Sequence, residues 1–146
     1  GNFETAVELA LAEAGQGTLG DDAERDASNF SVQYLSSNAA APNENDSSQK
    51  LIAEIYNTFN PKGQEFEAIA IVDAGKIVQI SYKDLKTRKV YVNYNDSSKI
   101  YGTKTTHGKA GEWLVYDTND GDSWVQWYSI YEGTYTHPWW NGHQSD

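Results

Sequence analysis

Phe66-Glu67-Ala68-Ile69-Ala70-Ile71-Val72-Asp73-Ala74-Gly75-Lys76-Ile77-Val78-Gln79-Ile80-Ser81-Tyr82-Lys83 is the stretch that decides the fold. Its apolar residues recur with a period of two, which is a strand signal. Phe66, Ala68 and Ala70 fall on one face of a strand running from Phe66 to Val72, with Ile69 and Ile71 nearer the other. Asp73-Ala74-Gly75 reads as a turn. A second strand then runs from Lys76 to Lys83, and strict alternation sets Ile77, Gln79 and Ser81 against Val78, Ile80 and Tyr82. The chain turns again between Lys83 and Lys89 and returns from Val90 to Tyr94, with Val90, Val92 and Tyr94 on one side. Connections this short join antiparallel neighbours, because a parallel pair needs a long crossover.

Towards the N-terminus the period changes to that of a helix. Phe3, Ala6, Val7, Ala10, Leu11 and Ala14 recur at three- and four-residue spacing, which predicts a helix over 2–14 with one apolar face. Asn2 stands where a cap belongs and Gly15 where a helix ends. Leu9 lies off the stripe and widens the apolar arc. From Asp22 to Leu35 the sequence reads as a short helix with Ala23, Ala27, Phe30 and Tyr34 on one side. A polar loop around Pro42 follows. The next helix is expected over 47–59, with Asp46 as N-cap, Gln49 completing a capping box, and Leu51, Ile52, Ile55, Tyr56 and Phe59 as its apolar face. Asn60-Pro61 stops it.

On the C-terminal side, residues 95–111 read mostly as loop. A hairpin is expected from strands 112–116 and 123–128 around Asn119-Asp120-Gly121, with a last strand over 131–136. The order implies one α+β domain spanning 1–146, with its N-terminal helices packed on one face of an antiparallel β-sheet meander. Residues 1–60 are mainly helix and loop, 61–136 form the sheet, and 137–146 are a polar tail.

Charge and composition exclude several functions. The 11 basic and 21 acidic residues give a net charge of −10, which disfavours nucleic acid and anionic membrane surfaces as partners. No apolar run approaches the ~18 residues that read as a membrane span, and no signal peptide is present. The chain starts without Met, so it reads as a processed or trimmed piece. Without Cys there are no disulfides, thiolate metal sites or cysteine nucleophiles.

The chemistry-bearing residues form no recognisable constellation. His107, His137 and His143 lie near no Ser or Glu in a known motif. There is no Walker A sequence, and Gly15, Gly17 and Gly20 follow a helix rather than a strand. Asp117-Thr118-Asn119-Asp120-Gly121-Asp122 resembles part of a calcium loop. Its Gly comes one position early, however, and Tyr128 stands where an EF-hand requires its closing Glu. A hairpin turn is the simpler reading. We therefore expect no enzyme activity, no cofactor and no metal. The unusual feature is aromatic: Trp124, Trp127, Tyr128, Tyr131, Tyr135, Trp139 and Trp140 crowd together. Such residues fill cores, and they also stack on sugars or peptides. Trp127, Tyr131, Tyr135, Trp139 and Trp140 are the candidates for binding a glycan, peptide or host surface.

The order of elements resembles the soluble part of a type IV pilin or pseudopilin, and is most similar to pilin-like proteins of Gram-positive bacteria. The resemblance rests on residues 3–14 as a helix stem, on Ser48-Gln49-Lys50-Leu51-Ile52-Ala53-Glu54-Ile55, and on the strands from Phe66 to Tyr82. It covers residues 2–94. The family's cleavage site and apolar helix half are not in this sequence, and its Trp-rich C-terminal part departs from a generic pilin. The resemblance implies a non-enzymatic subunit of an extracellular or cell-surface fibre. Helix 2–14 would then be the lower half of a longer stem, with membrane contact only through the missing part. Other copies or related subunits would be the partners, meeting at Phe3, Val7, Leu9 and Leu11. Two other readings share features of the sequence. One is a carbohydrate- or peptide-binding module using the aromatic cluster. The other is an NTF2-like or cystatin-like domain, which has the same helix-then-sheet order and would need a deep pocket.

Overall fold

The computed structural model describes residues 2–94 and 114–117. Helix α1 spans Asn2–Gly15, α2 Asp21–Ser28 and α3 Lys50–Phe59, the last preceded by a 3-10 turn at Ser47–Gln49. Strands β1 (Ser31–Ser36), β2 (Phe66–Asp73), β3 (Lys76–Asp84), β4 (Lys89–Tyr94) and β5 (Leu114–Asp117) form one sheet in the order β1-β2-β3-β4-β5. Every neighbouring pair is antiparallel. The fold is α+β, as expected.

The helices pack on one face of the sheet. From α1, Phe3, Ala6, Val7, Ala10, Leu11 and Ala14 join Ala23 and Ala27 of α2 and Leu51, Ile55 and Phe59 of α3. They meet Leu35, Phe66, Ala68, Ala70, Val72 and Ile80 on the strands. The alanines set the spacing, since a methyl group in place of a longer side chain lets α1 lie close to the sheet. Ile69 and Ile71 alternate onto the opposite face and are also buried, at 1% and 0% exposure.

Three expectations change. The segment 22–35 is not one helix. Its helical part ends at Ser28, where Asn29 turns extended (φ −105°, ψ 169°) and donates its N–H to the Arg25 carbonyl at 2.8 Å. From Ser31 the chain alternates as a strand and pairs residue for residue with β2, from Ser31 opposite Val72 to Ser36 opposite Glu67. Ladder bonds to β2 outweigh a weak helix signal. Leu35 enters the core, Tyr34 lies on the opposite face, and Phe30 is 36% exposed.

The second change is a bulge. Ile71 pairs with Gln79, yet Val72 pairs with Ile77, so Val78 is the extra residue in β3. Strict alternation put Ile77 with Gln79 and Ser81. The bulge moves it beside Val72, where it packs against the helix-side core. The third change is at the start of α3. Asp46 caps as expected, its Oδ1 accepting the Ser48 N–H at 3.0 Å. Gln49 does not complete the box: its Oε1 accepts the Asn43 N–H at 2.8 Å and its Nε2 donates to Asp46 Oδ2 at 3.3 Å. The Gln49 side chain thus ties down the preceding loop.

Candidate functional site

The sequence offered two groups of site residues. Trp127, Tyr131, Tyr135, Trp139 and Trp140 lie outside the described residues, as do the three His. So does the 117–122 loop, save Asp117 at the end of β5 opposite Lys89. The second group is the proposed assembly face. Phe3, Val7 and Leu11 are buried at 4%, 0% and 6% exposure within the chain's own core. They present little surface to a second copy, because they pack against the sheet and α3. Leu9 differs, at 52% exposure. The outward side of α1 consists of Leu9 with Asn2, Thr5, Glu8, Ala12 and Glu13, all exposed.

Among the described residues, a cleft lies along each flank of α1. On one flank, a cleft of about 320 Å³ is lined by Asn2, Phe3, Glu4, Phe59, Gln64, Tyr82 and Tyr91. Three elements converge there: the first turn of α1, the last turn of α3, and a tyrosine from each of β3 and β4. Tyr82 and Tyr91 are cross-strand partners, so their side chains share the helix-side face of the sheet. The rings pack in a chain. Phe59 meets Phe3 edge-on at 5.5 Å, Phe66 at 5.4 Å and Tyr82 at 6.3 Å, while Phe66 lies parallel to Tyr82 at 5.7 Å. The Tyr82 hydroxyl donates to Gln64 Oε1 at 3.0 Å. Burial, with a smaller push from the Asp84 charge, raises the Tyr82 phenol above its ordinary range.

The other flank is a crevice of about 370 Å³ between α1 and the β2–β3 hairpin, with Glu8, Leu11, Lys76, Ile77 and Asn93 in its wall. Glu4 lines both openings.

A third feature is a group of carboxyls where α1, α3 and the loop before α3 meet. Burial raises the Glu54 carboxyl above its usual range. A side-chain hydrogen bond shared with Glu13 and the charges of Glu13 and Glu44 push it further in the same direction. Asn57 Nδ2 donates to Glu44 Oε2 at 3.4 Å beside it. On the far face of the sheet, Lys83 is buried opposite Glu67, and burial lowers its amine pKa. The Glu67 charge opposes that shift and Arg88 adds to it. Glu67 Oε2 also accepts the Tyr34 hydroxyl at 3.3 Å.

Among the described residues, no group of three or more His, Asp or Glu is arranged to hold a metal ion, and no helix is long and apolar enough to cross a membrane. Sequence reading missed the aromatic cleft. Its rings come from positions 3, 59, 82 and 91: Phe3 and Phe59 read as parts of apolar helix faces, Tyr82 as one side of an alternating strand, and Tyr91 is given no role. The signal lay in the register: Tyr82 and Tyr91 become neighbours only once β3 and β4 are aligned. No family model, curated protein or solved structure matches the chain.

Proposed function

We propose that the chain is a non-enzymatic structural subunit of an extracellular fibre of the type IV pilus or pseudopilus kind. The observation that supports this reading is the asymmetry of α1. One side of the helix is locked to its own sheet by Phe3, Val7 and Leu11. The other keeps Leu9 at 52% exposure among small or polar neighbours, Thr5, Glu8 and Ala12. Leu9 gives the outward side one large apolar side chain, which a helix-to-helix contact in a fibre would bury. In such a fibre the assembly face is narrower than the resemblance implied, with Leu9 its apolar centre and Phe3, Val7 and Leu11 reserved for folding.

The chain has no Cys, so Leu9→Cys gives a single reporter thiol. Maleimide labelling is compared between the isolated chain and the surface fraction of cells that make the full-length protein. The expected result is fast labelling of the isolated chain and protection in the surface fraction. A control thiol at Asp73, exposed at the end of β2, should label equally in both. Equal labelling at Leu9 in both preparations would rule out burial of α1 in a fibre.

A further inference from the structure

We infer that Asn29 and Asn45 are acceptor sites for N-linked sugar, added through their side-chain amides. An acceptor is an Asn followed, two positions on, by Ser or Thr, with no Pro between. Three tripeptides fit: Asn29-Phe30-Ser31, Asn45-Asp46-Ser47 and Asn95-Asp96-Ser97, the last outside the described residues. The first two stand at junctions between elements, and both Asn are exposed. Asn29 follows α2 in extended backbone (φ −105°, ψ 169°), its N–H donating to the Arg25 carbonyl. Asn45 lies in the turn before the 3-10 segment, its N–H donating to Asn43 Oδ1 at 3.0 Å. In each case main-chain bonds fix the backbone while the residue faces water.

The surroundings point to a sugar independently of the motif. From Ala27 to Asn43 there is no Asp, Glu, Lys or Arg, the longest such run in the chain, and the two acceptors stand near its ends. Elsewhere a net charge of −10 keeps the surface hydrated. Here the exposed residues Ser37, Asn38, Ala39, Ala40 and Ala41 carry none, and N-linked sugar is bulky and solubilising. A protein partner fits less well, because the exposed side chains of the run, apart from Phe30, offer no large apolar anchor. The co-reactant is a sugar carried on a lipid phosphate. The Asn Nδ2 bonds to the anomeric carbon and the bond from that carbon to the phosphate oxygen breaks. The phosphate leaves with the electron pair, and the amide gives up one proton to solvent. The two sites differ in when they are open. Ser47 is exposed, so Asn45 stays open on the folded chain. The Ser31 hydroxyl is engaged, donating to the Asp26 carbonyl at 2.8 Å and accepting Gln33 Nε2 at 3.2 Å, so Asn29 must be modified before β1 pairs with β2. Such modification rests on the extracellular placement proposed above, and not on assembly into a fibre.

The test is glycopeptide mass spectrometry of the full-length protein isolated from the cells that make it. Peptides holding Asn29 and Asn45 are expected to carry a saccharide mass, with occupancy at Asn45 at least equal to that at Asn29. Asn38 and Asn43 are also exposed but have no hydroxyl residue two positions on, and should carry none. Ser47→Ala should abolish the sugar on Asn45 alone, and Ser47→Thr should retain it. Asn29→Gln should abolish the sugar on its own peptide without touching the hydrogen bonds of Ser31. A bare Asn29 or a bare Asn45 would overturn the assignment for that residue. Sugar on Asn38 or Asn43, or sugar on Asn45 that survives Ser47→Ala, would overturn both, since exposure alone would then select the residue. The fibre reading fails separately: a glycosylated chain whose Leu9→Cys thiol labels equally in both preparations keeps this assignment and loses that one.

Discussion

Phe59 is the residue on which the helix layer turns. Its ring touches Phe3 of α1, Phe66 of β2 and Tyr82 of β3, so one side chain joins two helices and two strands. Phe59→Ala removes all three contacts and leaves a cavity beside the open cleft. The expected cost is about 3–5 kcal/mol, read from the shift of the urea midpoint at constant slope. Glu54 makes a different case at the same scale. Its folded pKa is raised, so its stabilising contribution is fully present below the unfolded carboxylate pKa and is lost as pH rises through the folded value. Below that value the protonated carboxyl donates to Glu13; above it, Glu54 faces Glu13 and Glu44 as a third negative charge. Glu54→Gln should therefore raise the melting temperature at pH 7.5. It should also flatten the gain that the natural chain shows on acidification towards the ordinary carboxylate range. A melting curve as pH-sensitive in Glu54→Gln as in the natural chain would assign that dependence to other carboxyls.

The β2–β3 hairpin carries backbone strain that a single substitution can relieve. Ala74 (φ 51°) and Gly75 (φ 76°) both adopt positive φ, the geometry of a two-residue turn that favours Asn-Gly. Gly takes this conformation freely, whereas an Ala there is strained by roughly 1–2 kcal/mol. The turn is also anchored, because the Gly75 N–H donates to the Ala27 carbonyl at the end of α2. Ala74→Asn should stabilise the chain by about 1 kcal/mol in equilibrium urea unfolding, with the hydrogen bond from Gly75 intact. This turn also marks how far the sequence could be read. Asp73-Ala74-Gly75 was legible as a turn, and the strands beside it as strands, because alternation is a local property. The bulge at Val78 was not, because it arises from the pairing of two strands and moves Ile77 to the face opposite the one alternation assigns. Strand β1 was obscured for a related reason: Ala23 and Ala27 carry a real helical stripe, and only the partner β2 reveals that the period changes after Asn29. The cleft was invisible at this level, since Tyr82 and Tyr91 meet through register alone. The off-stripe position of Leu9 could be read directly from helical spacing, and it is exposed.

At the scale of the whole molecule, the dominant field is that of 21 acidic against 11 basic residues. Folding concentrates this charge. Glu13, Glu44 and Glu54 gather at the α1–α3 seam, and Asp22 and Asp26 share Arg25, which leaves one cation between two carboxylates. Net charge far from zero opposes compaction through self-repulsion. The unfolded chain spreads the same charges apart, so screening should favour the folded state more than the unfolded one. Sodium chloride shortens the Debye length from ~30 Å at 0.01 M to ~3 Å at 1 M, which spans the separations within a domain of this size. If screening recovers about 1 kcal/mol, the melting temperature at pH 7.5 should climb by roughly 2–4 °C between those concentrations. Sulfate is unsuitable for the measurement, because its exclusion from protein surfaces stabilises any fold. Sodium and potassium chloride should act alike if the effect is screening. A melting temperature that falls with added chloride would mean that attractive pairs such as Asp22–Arg25–Asp26 outweigh the repulsion. The acidic surface would then be a stabilising network and not a cost of folding.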